Sequence, residues 1–139
     1  MKGIADTGFL VAFANRRDRY HEWALGLASQ VTEPLLTCEA VLAEAAFHLR
    51  RTGLVLALVS EGLVTPKFDV SEQLPRLAQL AARYADRKPD LADLCLIRLS
   101  EMHPKHRVLT VDTDDFRIYR RNRNETIPLL VPPDLARQG

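Results

Sequence analysis

The chain reads as an α/β fold with a mainly parallel central sheet flanked by helices, and three observations predict this. Short apolar runs of strand length alternate with stretches of helical periodicity, the pattern of parallel strands joined by crossover helices. The 139 residues, 47% of them hydrophobic, suffice for one compact core and are short for two. Acidic residues follow apolar strand-like runs, where open α/β sheets place their ligands.

Taken in order, Gly3–Ala5 is the opening strand, ending in Asp6. Thr7 then caps a short helix over 9–14, and a second helix spans 20–31, with Trp23, Leu27 and Val31 at i, i+4, i+8 on its inner face. Pro34 stops that helix and residues 35–37 form a second strand. A helix over 39–51 closes at Gly53, and another over 54–63 ends at Gly62 and Pro66. Residues 67–70 alternate as a short strand.

Ser71 caps a helix of about four turns reaching Asp86, which turns Leu74, Leu77, Ala81 and Tyr84 inward. Pro75 falls early in it, where proline is tolerated. Lys88-Pro89-Asp90 begins a helix that continues to Met102. Residues 107–111 make a strand ending at Asp112, and 127–131 make the last strand before Pro132-Pro133. The organisation expected is a single domain over 1–131 and a polar C-terminal tail over 132–139.

Composition narrows the function. With 19 Lys+Arg against 18 Asp+Glu, the net charge of +1 exerts no global pull on nucleic acid, so any such surface is local. Cys38 and Cys95 lack C-x-x-C spacing and sit in apolar surroundings, as reduced core cysteines of a cytoplasmic protein do. Asp6 splits the apolar amino-terminal stretch and Asn15-Arg16-Arg17-Asp18-Arg19 ends it, unlike a signal peptide. No segment reaches the roughly 18 apolar residues of a transmembrane helix, so no membrane association is expected.

Four acids interrupt apolar runs: Asp6 in GIADTGFL, Glu44 in AVLAEAAF, Asp93 in DLADLCLI and Asp112 in VLTVDTDDF. A buried carboxylate is costly unless it is paired, hydrogen-bonded or bound to a metal. Oxygen-only ligands suit magnesium or manganese, which points to a hydrolytic metal site. Asp6 and Asp112 both follow strands and share the carboxyl edge; the structural alternative for each is a helix cap or loop former. For Glu44, ringed by Val41, Leu42, Ala45 and Phe47, the alternative is an exposed position or an ion pair.

Asp90 and Asp93 share one helix face in a first turn. Asp90 reads as the cap, whereas Asp93 is open between cap and ligand. Asp115 is a helix cap or a group that supports the ligands, and Thr7 and Thr110 carry hydroxyls beside the acidic edge that can orient carboxylates or water. Arg16, Arg17 and Arg19 follow the first acidic block, and Arg117, Arg120, Arg121 and Arg123 the last, as two basic clusters suited to RNA phosphates. Tyr119 is placed to stack a base. No histidine spacing supports zinc, and no motif supports a Ser-His-Asp or Cys-His device.

Together DTGFLVAF, LLTCEAVLAEAAFHLRR, KPDLADLCLIRLSE and VLTVDTDDFRIYRR resemble the ordered blocks of the PIN-domain family over nearly the whole chain, most closely the small prokaryotic VapC-type toxins. The resemblance implies a three-layer α/β/α sandwich with a mainly parallel sheet. It also implies a Mg2+- or Mn2+-dependent endoribonuclease, the toxin of a type II toxin-antitoxin pair, with an RNA substrate, a small antitoxin partner and scope for a homodimer. The family's acidic quartet then falls on Asp6, Glu44, Asp93 and Asp112 as catalytic and metal-binding residues, Asp6 and Asp93 as direct ligands, with Asp115 able to replace or assist Asp112. Two other readings stand beside it. Asp112-Thr113-Asp114 after a strand mimics the nucleophile and acid of a haloacid-dehalogenase-type phosphatase, and a PIN-like module could bind RNA or protein without cutting.

Overall fold

The computed structural model describes residues 1–136. Five strands, β1 (Gly3–Ala5), β2 (Leu35–Thr37), β3 (Val64–Pro66), β4 (Arg107–Leu109) and β7 (Leu129–Leu130), form one parallel sheet in the order β3-β2-β1-β4-β7. The chain steps outward from β1 through β2 to β3, then returns across the sheet to β4. Right-handed crossovers in opposite directions put their helices on opposite faces, which produces the three-layer α/β/α sandwich. The strand order reverses between β1 and β4, so a crevice opens beyond their carboxyl ends. Pairing continues one residue past β1, where the Asp6 N–H donates to the Leu109 carbonyl at 3.1 Å.

The strands are buried on both faces. Ile4, Ala5, Leu35, Val108 and Leu109 are fully enclosed, as a sheet covered on two sides requires. Helices α1 (Thr7–Ala14) and α2 (His21–Ala28) connect β1 to β2, while α3 (Glu39–Leu49) and α4 (Thr52–Ser60) connect β2 to β3. On the return, α5 (Val70–Arg83), a 3-10 turn at Ala85–Arg87 and α6 (Leu91–Met102) lead to β4. The apolar positions of α6 that made it legible, from Leu94 to Leu99, are its buried ones. Among the described residues no helix is long and apolar enough to cross a membrane.

Several boundaries differ from expectation. Asp6, not Thr7, caps α1, because its carboxylate accepts the Thr7 N–H at 2.7 Å. The α2 helix stops at Ala28, where the Ser29 hydroxyl turns back on the Gly26 carbonyl at 2.6 Å. Arg50, in the left-handed region at φ 53°, closes α3, and Gly53 lies inside α4. The third strand is Val64–Pro66 rather than 67–70, paired in register with β2 at the sheet edge, where proline's missing N–H costs no ladder bond.

Asp69 takes over the expected capping role of Ser71, accepting the Ser71 and Glu72 N–H groups. That start puts Leu77 and Leu80 inside and leaves Leu74 58% exposed. After β4 come α7 (Thr113–Phe116) and an unforeseen antiparallel hairpin of β5 (Arg120–Arg121) and β6 (Glu125–Thr126), turning through Asn122 and Arg123 at positive φ. The expected tail begins with a short helix, α8 (Pro133–Ala136). Its remainder, 137–139, lies outside the described residues.

Candidate active site

Four separate segments, the end of β1, α3, the start of α6 and the turn after β4, bring the sequence-distant acids to the crevice at the strand-order reversal. Asp6 leaves the end of β1 and is 7% exposed. One carboxylate oxygen accepts the Thr7 N–H, and the other accepts the Thr110 hydroxyl at 2.6 Å. Burial pushes its carboxyl up to about 6, with the charges of Asp112 and Glu44 adding to burial while the Thr110 and Thr7 hydrogen bonds oppose it. Thr110 also accepts the Asp112 N–H at 2.9 Å, so one hydroxyl ties the ends of β1 and β4 together.

Glu44 projects from the second turn of α3, half-buried, and accepts the Thr7 hydroxyl at 3.0 Å. Its carboxyl is raised by burial and by the charge of Asp90, against the Thr7 hydrogen bond and the charge of His48. Asp90 caps α6 by accepting the Asp93 N–H at 2.8 Å. Asp93, one turn in, accepts the Tyr119 hydroxyl at 2.9 Å. Burial, then the charge of Asp90, pushes Asp93 up to about 7, Tyr119 opposing and Asp6 and Asp112 contributing further. Burial and the Asp93 charge raise the Tyr119 phenol, which keeps it a donor.

Asp112 caps α7 by accepting the Asp115 N–H at 3.2 Å, and burial raises its carboxyl as well. Asp115 is paired with Arg87 at 2.8 Å. Asp6, Thr7, Glu44, Asp90, Asp93, Asp112 and Asp115 line one open cleft of about 500 Å³, together with Asp18, Arg19, Tyr20 and His48. A larger hollow of about 680 Å³ opens beside α3 between Cys38, Phe68, Val70 and Leu91, and none of these acids lines it.

The donor chemistry of the cleft fits a hard divalent cation: carboxylate oxygens dominate, and burial and mutual repulsion push them toward their protonated forms. Among the described residues, Asp115 is the one of these acids with an arginine partner. As the side chains stand, their oxygens turn toward threonine, tyrosine and backbone donors. Among the described residues no three His, Cys, Asp or Glu side chains form a coordination set.

The arginines separate into different roles. Arg17 is exposed in the loop after α1. Arg117 donates to the Leu135 carbonyl at 2.8 Å, and Arg120 folds back on the carbonyls of Arg117, Ile118 and Tyr119. Arg121 corrects the expectation of an RNA contact: it is 4% exposed and donates to the Ser100 carbonyl and hydroxyl, the Pro104 carbonyl and Glu125, pinning the hairpin to α6. Tyr119 is likewise buried, so it cannot stack a base.

Sequence reasoning put Arg19 in a basic cluster beside the acids, but missed Asp18, Tyr20 and His48 as lining residues. His48 carried a signal, since it lies one turn beyond Glu44 on the same helix face. Asp18 and Tyr20 carried none, because only the path of the 15–20 loop puts them there.

The profile of the PIN domain matches residues 4–124 of the chain. Comparison with curated proteins finds no match.

Proposed function

The chain belongs to the PIN-domain family, whose fold is of the nuclease type and typically uses divalent metal, and on that basis we propose that it is a Mg2+- or Mn2+-dependent endoribonuclease acting as the toxin of a type II toxin-antitoxin pair. The observation that supports this reading best is the meeting of Asp6, Glu44, Asp93 and Asp112, drawn from four separate stretches of sequence, in one acidic cleft at the strand-order reversal.

Asp6 and Asp93 would hold the cation, with Glu44 and Asp112 beside them. Bound there, a divalent cation relieves the repulsion among the carboxylates, activates water and stabilises charge on the phosphate. The chain's own residues orient the acids. Thr110 and the Thr7 N–H fix both oxygens of Asp6, the Thr7 hydroxyl fixes one oxygen of Glu44, and Tyr119 fixes one of Asp93. Each of these groups can also hold a carboxylate in place while its other lone pairs turn toward substrate or water. Hydrolysis forms a bond from water oxygen to phosphorus and breaks one P–O ester bond of the RNA backbone. Arg17, exposed in the loop that carries Asp18 and Arg19 to the cleft, would supply a phosphate contact, so cleavage should weaken as salt rises.

Replacing Asp6 or Asp93 with asparagine should abolish manganese-dependent cleavage of single-stranded RNA while the circular dichroism spectrum keeps its wild-type form. Undiminished cleavage by either variant sinks the mechanism. RNA binding by the wild-type chain without cleavage in saturating manganese would instead identify a non-cleaving module. The toxin role is tested by growth arrest on expression, which Asp6→Asn should lift.

A further inference from the structure

Arg19 is the one arginine among the described residues lining the acidic cleft. It sits in a loop with its side chain 76% exposed, yet it is held in place. Its Nη2 donates to Asp134 Oδ2 at 2.9 Å, and its guanidinium lies over the Tyr20 ring, 5.2 Å from the centroid. The Tyr20 hydroxyl donates to the same Asp134 oxygen at 3.2 Å.

Asp134 belongs to α8, beyond the stretch that matches the family profile. That segment is itself fastened to the cleft wall: Arg117, which follows α7, donates to the Leu135 carbonyl at 2.8 Å, and Pro132 is buried. The end of the described chain thus reaches back across more than a hundred positions of sequence to the rim of the cleft.

We infer that Arg19 binds the RNA phosphate flanking the scissile one and that Asp134 is a positioning residue that holds it there. The inference rests on the ribonuclease reading above. Arginine presents five N–H donors in a planar fork, and Asp134 engages only Nη2, leaving Nε and Nη1 for phosphate oxygens. A free arginine loses rotamer freedom when it is immobilised. Ordering it before substrate arrives removes part of that cost from binding. In a cleft lined chiefly by carboxylates, a fixed cation at the mouth also directs the phosphate backbone toward the acids without neutralising them.

The test uses the full chain, manganese and a short fluorogenic single-stranded RNA, with kcat and KM measured across salt concentrations. Arg19→Ala should raise KM about fivefold with kcat unchanged and reduce the salt slope by about one. Asp134→Ala should raise KM about threefold at unchanged kcat, as befits an exposed ion pair. Asp134→Glu should restore the wild-type value, and Asp134→Ala should add nothing in an Arg19→Ala background.

A fall in KM on Asp134→Ala would mean that the carboxylate sequesters Arg19, and overturns the inference. So does an unchanged KM, or an effect of Asp134→Ala that persists undiminished without Arg19. These outcomes leave the ribonuclease reading intact so long as Asp6→Asn is inactive. No cleavage by the wild-type chain, or full cleavage by Asp6→Asn, overturns both. Should Asp134→Ala melt early, Asp134→Asn at wild-type melting temperature gives the same readout.

Discussion

Asp6 shows how one residue can serve the site at the expense of the fold. Its carboxyl is pushed from an unfolded value near 3.8 up to about 6, chiefly by burial. An acid whose folded value is raised binds its proton more tightly in the folded state, so stability falls as pH rises from about 3.8 through about 6 and stays lower above that. Asp93, raised to about 7, extends the same loss toward neutrality. Without added divalent cation, Asp6→Asn should therefore raise the unfolding free energy at pH 7.5 by about 1–2 kcal/mol, less than the full shift implies because asparagine replaces the Thr110 bond imperfectly. At pH 4 the gain should vanish. Urea melts at the two pH values check this, and a loss of stability at pH 7.5 would contradict it. Gly8 is a second residue-scale constraint: a Cβ there would collide with Val111 Cγ2, beside Asp112. Gly8→Ala should therefore shift Val111 and lower cleavage more than it lowers stability, measured as kcat against melting temperature.

At the scale of elements, α5, α6 and the β5–β6 turn are clasped at one carboxylate. Glu101 on α6 is 1% exposed in its side chain and takes Arg76 of α5 through two hydrogen bonds, at 2.9 and 2.6 Å. Arg98 adds a third at 3.2 Å, and the Asn122 N–H of the hairpin turn a fourth at 2.6 Å. Removing one partner of a buried ion pair leaves the others desolvated and unpaired, so Glu101→Ala should cost about 2–4 kcal/mol, reduced from a fully buried case by the part-exposed arginines. Chemical denaturation measures the cost, and hydrogen exchange should open first in the hairpin. A cost under about 0.5 kcal/mol would reduce the clasp to an ordinary surface pair. This clasp was invisible in sequence, because neither the hairpin nor the facing of α5 onto α6 follows from local pattern.

For the whole molecule, the decisive feature is the strand order. Strands β1 and β4 are neighbours although about a hundred residues part them, and their adjacency puts Asp6 and Asp112 within one hydroxyl of each other. Four acids gathered in this way make a reservoir of repulsion that a divalent cation would relieve. Manganese at a hundredfold excess over its dissociation constant should stabilise the wild-type chain by about 2.7 kcal/mol and raise its melting temperature by several degrees. Asp93→Asn should abolish most of that rise. An equal rise in both proteins would show that the cation stabilises the fold elsewhere.

Sequence by itself determined the fold class, the identity of most helices and the acids that interrupt apolar runs, because periodicity, capping chemistry and the cost of burying charge all act over a few neighbouring residues. The Asp90 cap and the apolar face of α6 were legible for that reason. Tertiary structure decided what local chemistry leaves degenerate. A basic run such as Arg117 to Arg121 looks uniform in sequence, yet Arg121 is buried against Ser100, Arg117 fastens α8, and among the described residues it is Arg19, far upstream, that reaches the cleft. Burial and partnership across distant segments depend on which strands become neighbours, and that is settled only when the whole chain packs.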